Sequence, residues 1–265
     1  MNIPNQPLRL EFSIEVPGTP EQVWDAIATA KGISAWMMPT DLEEREGGAV
    51  AFHMGPEMSS EGTVTGWEPP RRLVYEEPNW AVLADQDPST VTPLISEFLV
   101  EATSGGTCVV HVVSSAFGTG ADWENEFIRD MAKGWIPVFD HLRLYLTYFP
   151  GQKASSLEAA TELPGTPDGV AAAICSAFGV SEVGQTVDAK GATGQVERVS
   201  DESLLLRLTE PLPGILAFYA YGVGENVTMA RVAGYLFSED APAYVERETS
   251  AWQSWLEQLA VEAPR

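Results

Sequence analysis

Basic side chains, cysteines and long apolar runs are all scarce in this sequence of 265 residues. Only 15 lysines and arginines stand against 38 acidic residues, which gives a net charge of -23. A surface this acidic repels nucleic-acid phosphates and anionic lipid headgroups, so neither is an expected partner. No run approaches the roughly 18 consecutive apolar residues of a membrane-spanning helix, so membrane insertion is not expected.

The two cysteines and three histidines do not suggest a metal or cofactor site. Cys108 and Cys175 lie in different halves of the chain, which favours two reduced thiols over a disulfide. His53, His111 and His141 lack the spacing of metal ligands, and no nucleophile elbow or phosphate-binding loop is present. The N-terminus has no basic flank followed by an apolar run, so we expect a cytoplasmic protein.

An internal repeat indicates two domains. Residues 15–27 (EVPGTPEQVWDAI) and residues 162–174 (ELPGTPDGVAAAI) are identical at eight of 13 positions. A weaker echo links GWIPVFDHL at 134–142 with AWQSWLEQL at 251–259. Two echoes in the same order predict a tandem duplication, with domains at 1–150 and 151–265. The second copy is shorter and diverged.

The first half predicts an antiparallel sheet followed by a long helix. Residues 8–16 alternate between apolar and polar side chains, as a half-buried strand does. Thr19, Pro20 and Glu21 are typical of a helix start. Further strands are predicted near residues 50–52, 63–67, 73–75, 95–101 and 108–113, with a hairpin turn at 104–107. The closing helix spans about 121–147, with a kink or a new turn at Pro137.

The second half repeats this order in a shorter form. Strands are predicted at 195–199, 204–208, 214–221 and 229–237, and a helix at about 242–261. The whole chain is therefore an α+β protein, in which each domain wraps a curved antiparallel sheet on a long C-terminal helix.

These segments resemble a known family. TPEQVWDAI, ISAW, GGAVAFHM, EGTVTGWEPPRRLVY, ISEFLVEATSGGTCVVHVVSSAFG and GWIPVFDHLRLYL follow one another across residues 8–147. Their order resembles the branch of the SRPBCC (START/Bet v 1-like) superfamily that is named after an activator of heat-shock protein ATPase. The resemblance implies a helix-grip fold with a cavity between the sheet and the long helix. Superfamily members bind lipids, hormones, polyketides or aromatic compounds, and a minority are cyclases or other enzymes.

Such a cavity is apolar with a few polar anchors, and aromatic side chains are its candidate lining. For any single aromatic residue, plain core packing is the alternative, and Trp24 is assigned to the core. His53 faces the cavity only if its neighbour Phe52 faces solvent. The candidate ligand-binding residues are Trp36, Phe52, His53, Trp67, Tyr75, Trp80, Trp135 and Phe139.

The connection at 77–94 and the carboxylate pairs complete the candidate features. The connection is long enough to be functional, and Trp80, Val82 and Leu83 make it either a lid over the cavity or an anchored surface loop. Glu76 and Glu77 read as a solvated pair. His111 is placed on a strand with either face possible, and His141 on the solvated side of the long helix.

Three functions compete. The first is binding of a small hydrophobic or aromatic molecule, which needs only a dry cavity. The second is a cyclase or aromatase reaction in the same cavity, which needs a polar group of shifted pKa on the wall. The third is a chaperone-associated or regulatory interaction, or a homodimer, through an exposed apolar patch. The absence of catalytic motifs favours binding over catalysis, and no cofactor is expected.

Overall fold

The computed structural model describes residues 5–55, 58–189 and 191–259. The chain divides into two compact units between Gln152 and Lys153, and each is described here by itself. Both consist of one antiparallel sheet with helices, which is the α+β class expected from the sequence. Within the described ranges, no helix combines the length and the apolar character needed to span a membrane.

The first unit consists of a seven-stranded sheet and three helices among its described residues. In chain order these are β1 (Gln6–Pro17), α1 (Pro20–Ala28), α2 (Ala30–Ile33), β2 (Thr40–Leu42), β3 (Ala49–Gly55), β4 (Met58–Glu68), β5 (Arg72–Glu77), β6 (Leu94–Ala102), β7 (Thr107–Gly118) and α3 (Asp122–Tyr148). The sheet order is β1-β7-β6-β5-β4-β3-β2, and all neighbours are antiparallel. The first and last strands therefore pair, and α3 packs on β1.

The repeated Gly-Thr-Pro sequence forms the turn between β1 and α1. Gly18 has φ of +121°, a conformation that disfavours a side chain, and its N–H donates to the carbonyl oxygen of Gly106 in the β6–β7 turn. Thr19 then caps α1. Its hydroxyl accepts from the N–H of Gln22, and the Gln22 side chain accepts from the N–H of Thr19. The helix start predicted at Thr19 is confirmed.

The start of α3 is held by a buried carboxylate. Glu124 accepts hydrogen bonds from the backbone N–H and the hydroxyl of Thr119 and from the N–H of Gly120, at 2.8–2.9 Å. These contacts join the end of β7 to the first turn of α3. The helix then continues without interruption through Pro137 to Tyr148, so the fresh turn that the proline suggested does not occur.

The second unit has the same topology with one strand fewer. Its elements are β8 (Ser155–Pro164), α4 (Pro167–Phe178), β9 (Thr186–Ala189), β10 (Ala192–Val199), β11 (Ser203–Glu210), β12 (Gly214–Gly224), β13 (Val227–Leu236) and α5 (Ala241–Glu257). The sheet order is β8-β13-β12-β11-β10-β9, so again the first strand pairs with the last. The last two residues of the helix predicted at 242–261 lie outside the described residues.

The turn after β8 reproduces the turn after β1. Gly165 has φ of +122°, and its N–H donates to the carbonyl oxygen of Asn226 in the β12–β13 turn. Pro167 starts α4 as Pro20 starts α1. The same backbone conformation, the same hydrogen bond to the last hairpin and the same sheet order establish the tandem duplication.

Helix α5 packs on the second sheet through aromatic side chains. Trp252 and Trp255 each lie within 6.4 Å of the rings of Phe178 and Phe218, measured between ring centroids. Trp252 belongs to a core that also contains Ile174 of α4. The second echo of the repeat, AWQSWLEQL, thus lies largely in the core-facing helix that closes this unit, as GWIPVFDHL does in the first.

Candidate ligand cavity

A cavity of about 430 Å³ lies between the sheet of the first unit and α3. Its volume falls in the range of sites that hold small molecules. Strands β3 to β7, helix α3 and two connecting segments contribute to its wall. The lining residues are Met37, Met38, Phe52, Met54, Met58, Tyr75, Glu77, Trp80, Leu83, Leu94, Ser96, Ser114, Phe127, Asp130, Met131, Gly134, Trp135 and Val138.

Methionine and aromatic side chains dominate the wall. Five of the seven methionines of the protein line this one cavity. The aromatic rings pack on one another: Phe52 and Tyr75 lie 5.2 Å apart between centroids, and Trp135 approaches Phe98 behind the wall at 6.1 Å. Methionine adapts its shape and makes favourable contacts with aromatic rings through sulfur. The wall therefore suits an apolar, aromatic guest.

A short row of hydroxyl groups crosses this apolar wall. Tyr75, Ser96 and Ser114 lie directly opposite one another on β5, β6 and β7. The hydroxyl groups of Ser96 and Ser114 are 2.9 Å apart. Burial raises the pKa of the Tyr75 phenol, the nearby carboxyl group of Glu77 adds to this, and hydrogen bonding with Ser96 opposes it. Tyr75 is therefore a neutral phenol at physiological pH.

Glu77 is a buried carboxyl group on the same wall. It is 7% exposed, and the hydroxyl group of Ser60 on β4 donates a hydrogen bond to its Oε1. Burial raises the pKa of Glu77, and the hydrogen bond from Ser60 acts in the opposite direction. Among the described lining residues there is no lysine, arginine or histidine that would balance a negative charge. The environment thus favours the protonated acid.

The connection between β5 and β6 covers one side of the cavity. Trp80 begins a 3-10 turn (Trp80–Ala84), is fully buried, and donates from its indole N–H to the carbonyl oxygen of Thr92. Its ring packs against Trp123 and Phe127 of α3 at 5.5 and 4.9 Å. Leu83 reaches the cavity, whereas Val82 is exposed. The segment is an anchored cover, with Trp80 fixing it to the helix.

The sequence of the first unit matches a known family. Residues 17–147 match the family described as activator of Hsp90 ATPase homolog 1-like protein. The first unit belongs to this family. The resemblance to the SRPBCC superfamily is thereby confirmed.

Solved structures extend the comparison to both units. A protein from Mesorhizobium loti is 21% identical to the chain, covering 54% of this chain and 98% of its own, with a TM-score of 0.45. The di-domain ARO/CYC BexL from the BE-7585A biosynthetic pathway is 11% identical, covering 97% and 100%, with a TM-score of 0.44. DynU16, from the dynemicin biosynthetic locus, is 14% identical, covering 96% and 97%, with a TM-score of 0.42. No curated protein sequence matches the chain.

Four of the eight predicted site residues lie on the cavity wall of the first unit. Phe52, Tyr75, Trp80 and Trp135 come together there from two strands, the covering loop and α3. The other four lie elsewhere. Trp36 is buried with its indole N–H bonded to the carbonyl oxygen of Ala26, and Phe139 packs behind the wall between Phe12 and Trp135.

The remaining two, Trp67 and His53, are also away from the cavity. Trp67 packs edge-on against Trp24 at 5.1 Å. His53 alternates with Phe52 along β3, so when Phe52 faces the cavity His53 faces the other side, where it lies 2.9 Å from the carboxylate of Asp41. We therefore leave these four residues out of the proposed site.

Two expectations about polar residues were wrong. Glu76 and Glu77 do not form a solvated pair, because successive residues of a strand face opposite sides and Glu77 faces the cavity. His141 is not solvated: it is 1% exposed, with Nδ1 3.0 Å from the carbonyl oxygen of Trp36. His111 bonds to the Ser13 hydroxyl at 2.7 Å and does not line the cavity.

Sequence reasoning missed the methionines, the two serines and Glu77. The strand predicted at 73–75 continues to Glu77 in the structure, and residues two apart on a strand share a face, so extending that strand by two residues would have placed Glu77 beside Tyr75. The methionines come from separate segments and carry no periodic signal. Within the described residues, no cluster of three or more histidine, cysteine or acidic side chains could hold a metal ion.

Proposed function

We propose that the first unit binds a small, largely apolar aromatic molecule in the cavity between its sheet and α3. The observation that carries this proposal is a wall of methionine and aromatic side chains around a volume of about 430 Å³. Burial of about 300 Å² of apolar ligand surface would contribute roughly 7 kcal/mol before the costs of ordering the ligand. The few polar groups on the wall fix the orientation of the guest.

Gly134 provides a direct test because it lines the cavity without a side chain. A Cβ atom added there meets no atom within 4 Å. The purified protein is analysed by native mass spectrometry, and any released compound is identified under denaturing conditions. We expect an apolar compound at one copy per chain in the wild type and in Gly134→Ala, and its loss in Gly134→Trp, which places a large ring at the cavity.

Equal retention of the compound by Gly134→Trp would place the binding site elsewhere. A wild-type protein that carries no compound and takes up none of a panel of planar aromatic molecules would overturn the proposal. Circular dichroism of Gly134→Trp checks that the helix is intact.

Catalysis in the same cavity is the second candidate, and Glu77 is the observation that favours it. A buried carboxyl group of raised pKa next to a neutral phenol can transfer or share a proton with a bound molecule. A cyclase or aromatase would convert the bound compound, so incubation of the released compound with fresh protein must yield a new mass. An unchanged mass after prolonged incubation with excess protein argues for binding alone.

Cytoplasmic location and a protein partner or homodimer stay predictions from the sequence. They do not bear on the cavity.

A further inference from the structure

The charge balance around Glu77 limits what the cavity can recognise. The groups that share its wall are the phenol of Tyr75 on β5, the hydroxyl groups of Ser96 and Ser114 on β6 and β7, and the carboxylate of Asp130 on α3. Ser60 on β4 contacts Glu77 directly. Asp130 is exposed and paired with Lys133 at 3.7 Å. Every ionisable group on the described wall is therefore an acid.

Among the described lining residues, no cation is present to stabilise a buried carboxylate. Residues 1–150 carry 22 acidic and 8 basic side chains, so the long-range field also opposes a further negative charge. A buried charge without a partner is costly, and the group neutralises instead. The hydrogen bond from Ser60 occupies Oε1, which leaves Oε2 to carry the proton.

A protonated Glu77 is a hydrogen-bond donor set in an apolar wall. Tyr75, two residues earlier on the same face of β5, supplies a second neutral O–H group. Two such donors are complementary to an oxygen acceptor on the ligand. A ligand without an acceptor would deprive the O–H group of Glu77 of this partner, which costs binding free energy.

We propose that Glu77, as a neutral carboxylic acid, donates a hydrogen bond to a carbonyl oxygen of an uncharged aromatic ligand and so selects aromatic ketones or quinones. The inference rests on the proposed function and names the ligand class of the same site. An anionic ligand is disfavoured because the described wall carries no cationic side chain to balance its charge and because the Asp130 carboxylate has the same sign. A cationic amine is the competing class, because it would draw Glu77 into its ionised form.

A matched set of ligands separates these classes. Fluorenone, fluorene, aminofluorene and fluorene carboxylate share one planar skeleton and differ at one carbon. Their dissociation constants for the full chain are measured by equilibrium dialysis at several pH values between acidic and mildly alkaline. We expect fluorenone to bind roughly tenfold more tightly than fluorene, as one buried hydrogen bond allows. This preference should decline as the pH rises and Glu77 ionises.

Three variants assign the effect to Glu77. Glu77→Leu has a similar volume and no donor, so it should bind both compounds with equal affinity. Glu77→Gln keeps an N–H donor, so it should retain a preference for fluorenone that no longer depends on pH. Glu76→Gln changes the neighbouring residue, which alternates to the opposite face, and should behave as the wild type. If Glu77→Leu does not fold, the preference of Glu77→Gln for fluorenone, measured against pH, still tests whether Glu77 is the donor.

The outcomes distinguish this inference from the proposed function. Equal binding of fluorene and fluorenone by the wild type overturns the role of Glu77 and leaves the apolar cavity in place. Tightest binding of aminofluorene, increasing with pH and lost in Glu77→Gln, overturns it in favour of an amine ligand held by the carboxylate. Binding of none of the four compounds overturns the proposed function and this inference together.

Discussion

The hydroxyl group of Ser60 on β4 donates a hydrogen bond to the carboxyl group of Glu77 on β5, within the wall of the cavity. Both side chains are buried, at 5% and 7% exposed. Ser60 supports the ionised form of Glu77, whereas burial opposes it more strongly, so the pKa lies above its usual range. Apart from the exposed Asp130, the other described lining residues are apolar side chains, neutral hydroxyl groups and Gly134.

The pH dependence of stability should reveal this buried acid. Because the pKa of Glu77 is raised in the folded state, ionisation is more costly there than in the unfolded chain. The stability that the protonated Glu77 contributes to the folded state is fully present below the ordinary pKa of glutamate. It is lost as the pH rises through the folded-state pKa. The free energy of unfolding of the wild type should therefore fall relative to that of Glu77→Gln as the pH is raised. Urea unfolding at a series of pH values measures this difference.

Glu76→Gln serves as the control for that series, since Glu76 is next in sequence and only half-buried. The difference in free energy of unfolding between Glu76→Gln and the wild type should not change with pH in the way expected for Glu77→Gln. Parallel curves for the wild type and Glu77→Gln across the whole pH range would contradict a buried acid of raised pKa.

Gly134 should be replaceable by alanine with a gain in stability. It lies inside α3, where glycine is less favourable than alanine by about 0.5–1 kcal/mol, and an added Cβ meets no atom within 4 Å. Thermal or urea unfolding of Gly134→Ala should show a gain of that size. A loss of stability would contradict the open space around the Gly134 Cα atom.

Glu124 should be important for stability although it lies outside the cavity. Its carboxylate accepts three hydrogen bonds that tie the end of β7 to α3, and the side chain is fully buried. Glu124→Ala leaves two backbone N–H groups without these acceptors and should cost roughly 3 kcal/mol. The matched control is Glu126→Ala, an exposed position two residues later on the same helix, which should change the free energy of unfolding by less than about 0.5 kcal/mol.

The two repeated glycines should respond alike to substitution. Gly18 and Gly165 have φ of +121° and +122°, where an alanine side chain is strained. Gly18→Ala and Gly165→Ala should each destabilise their own unit by about 1 kcal/mol or more. Native-state hydrogen exchange, read at the amides of β1 and β8, resolves the two units separately. A neutral effect in one unit would mean that its turn is not constrained as its copy is.

The sequence alone determined the architecture, because its signals are local and repeated. Strand alternation over residues 8–16, the helix start at Thr19, the hairpin at 104–107 and the long helix that closes the first unit all appear as predicted. Each depends on backbone preferences and on the period of a helix or a strand, which short segments specify. The repeated Gly-Thr-Pro sequence predicts the same turn in the second unit, and Gly165 adopts the φ of Gly18 there.

Tertiary structure decided which of these side chains reach the cavity. Phe52 and Trp36 are both buried aromatic residues, yet only Phe52 lines the wall, because Trp36 is held by Ala26 and His141 at the helices. The five methionines converge from separate elements, so no local pattern relates them. Two adjacent acidic residues are usually both solvated, and the sequence suggested this for Glu76 and Glu77. Their alternation along β5 instead places Glu77 on the buried face of the sheet. Side chains far apart in sequence share a cavity through sheet register and helix packing, and these are properties of the whole unit.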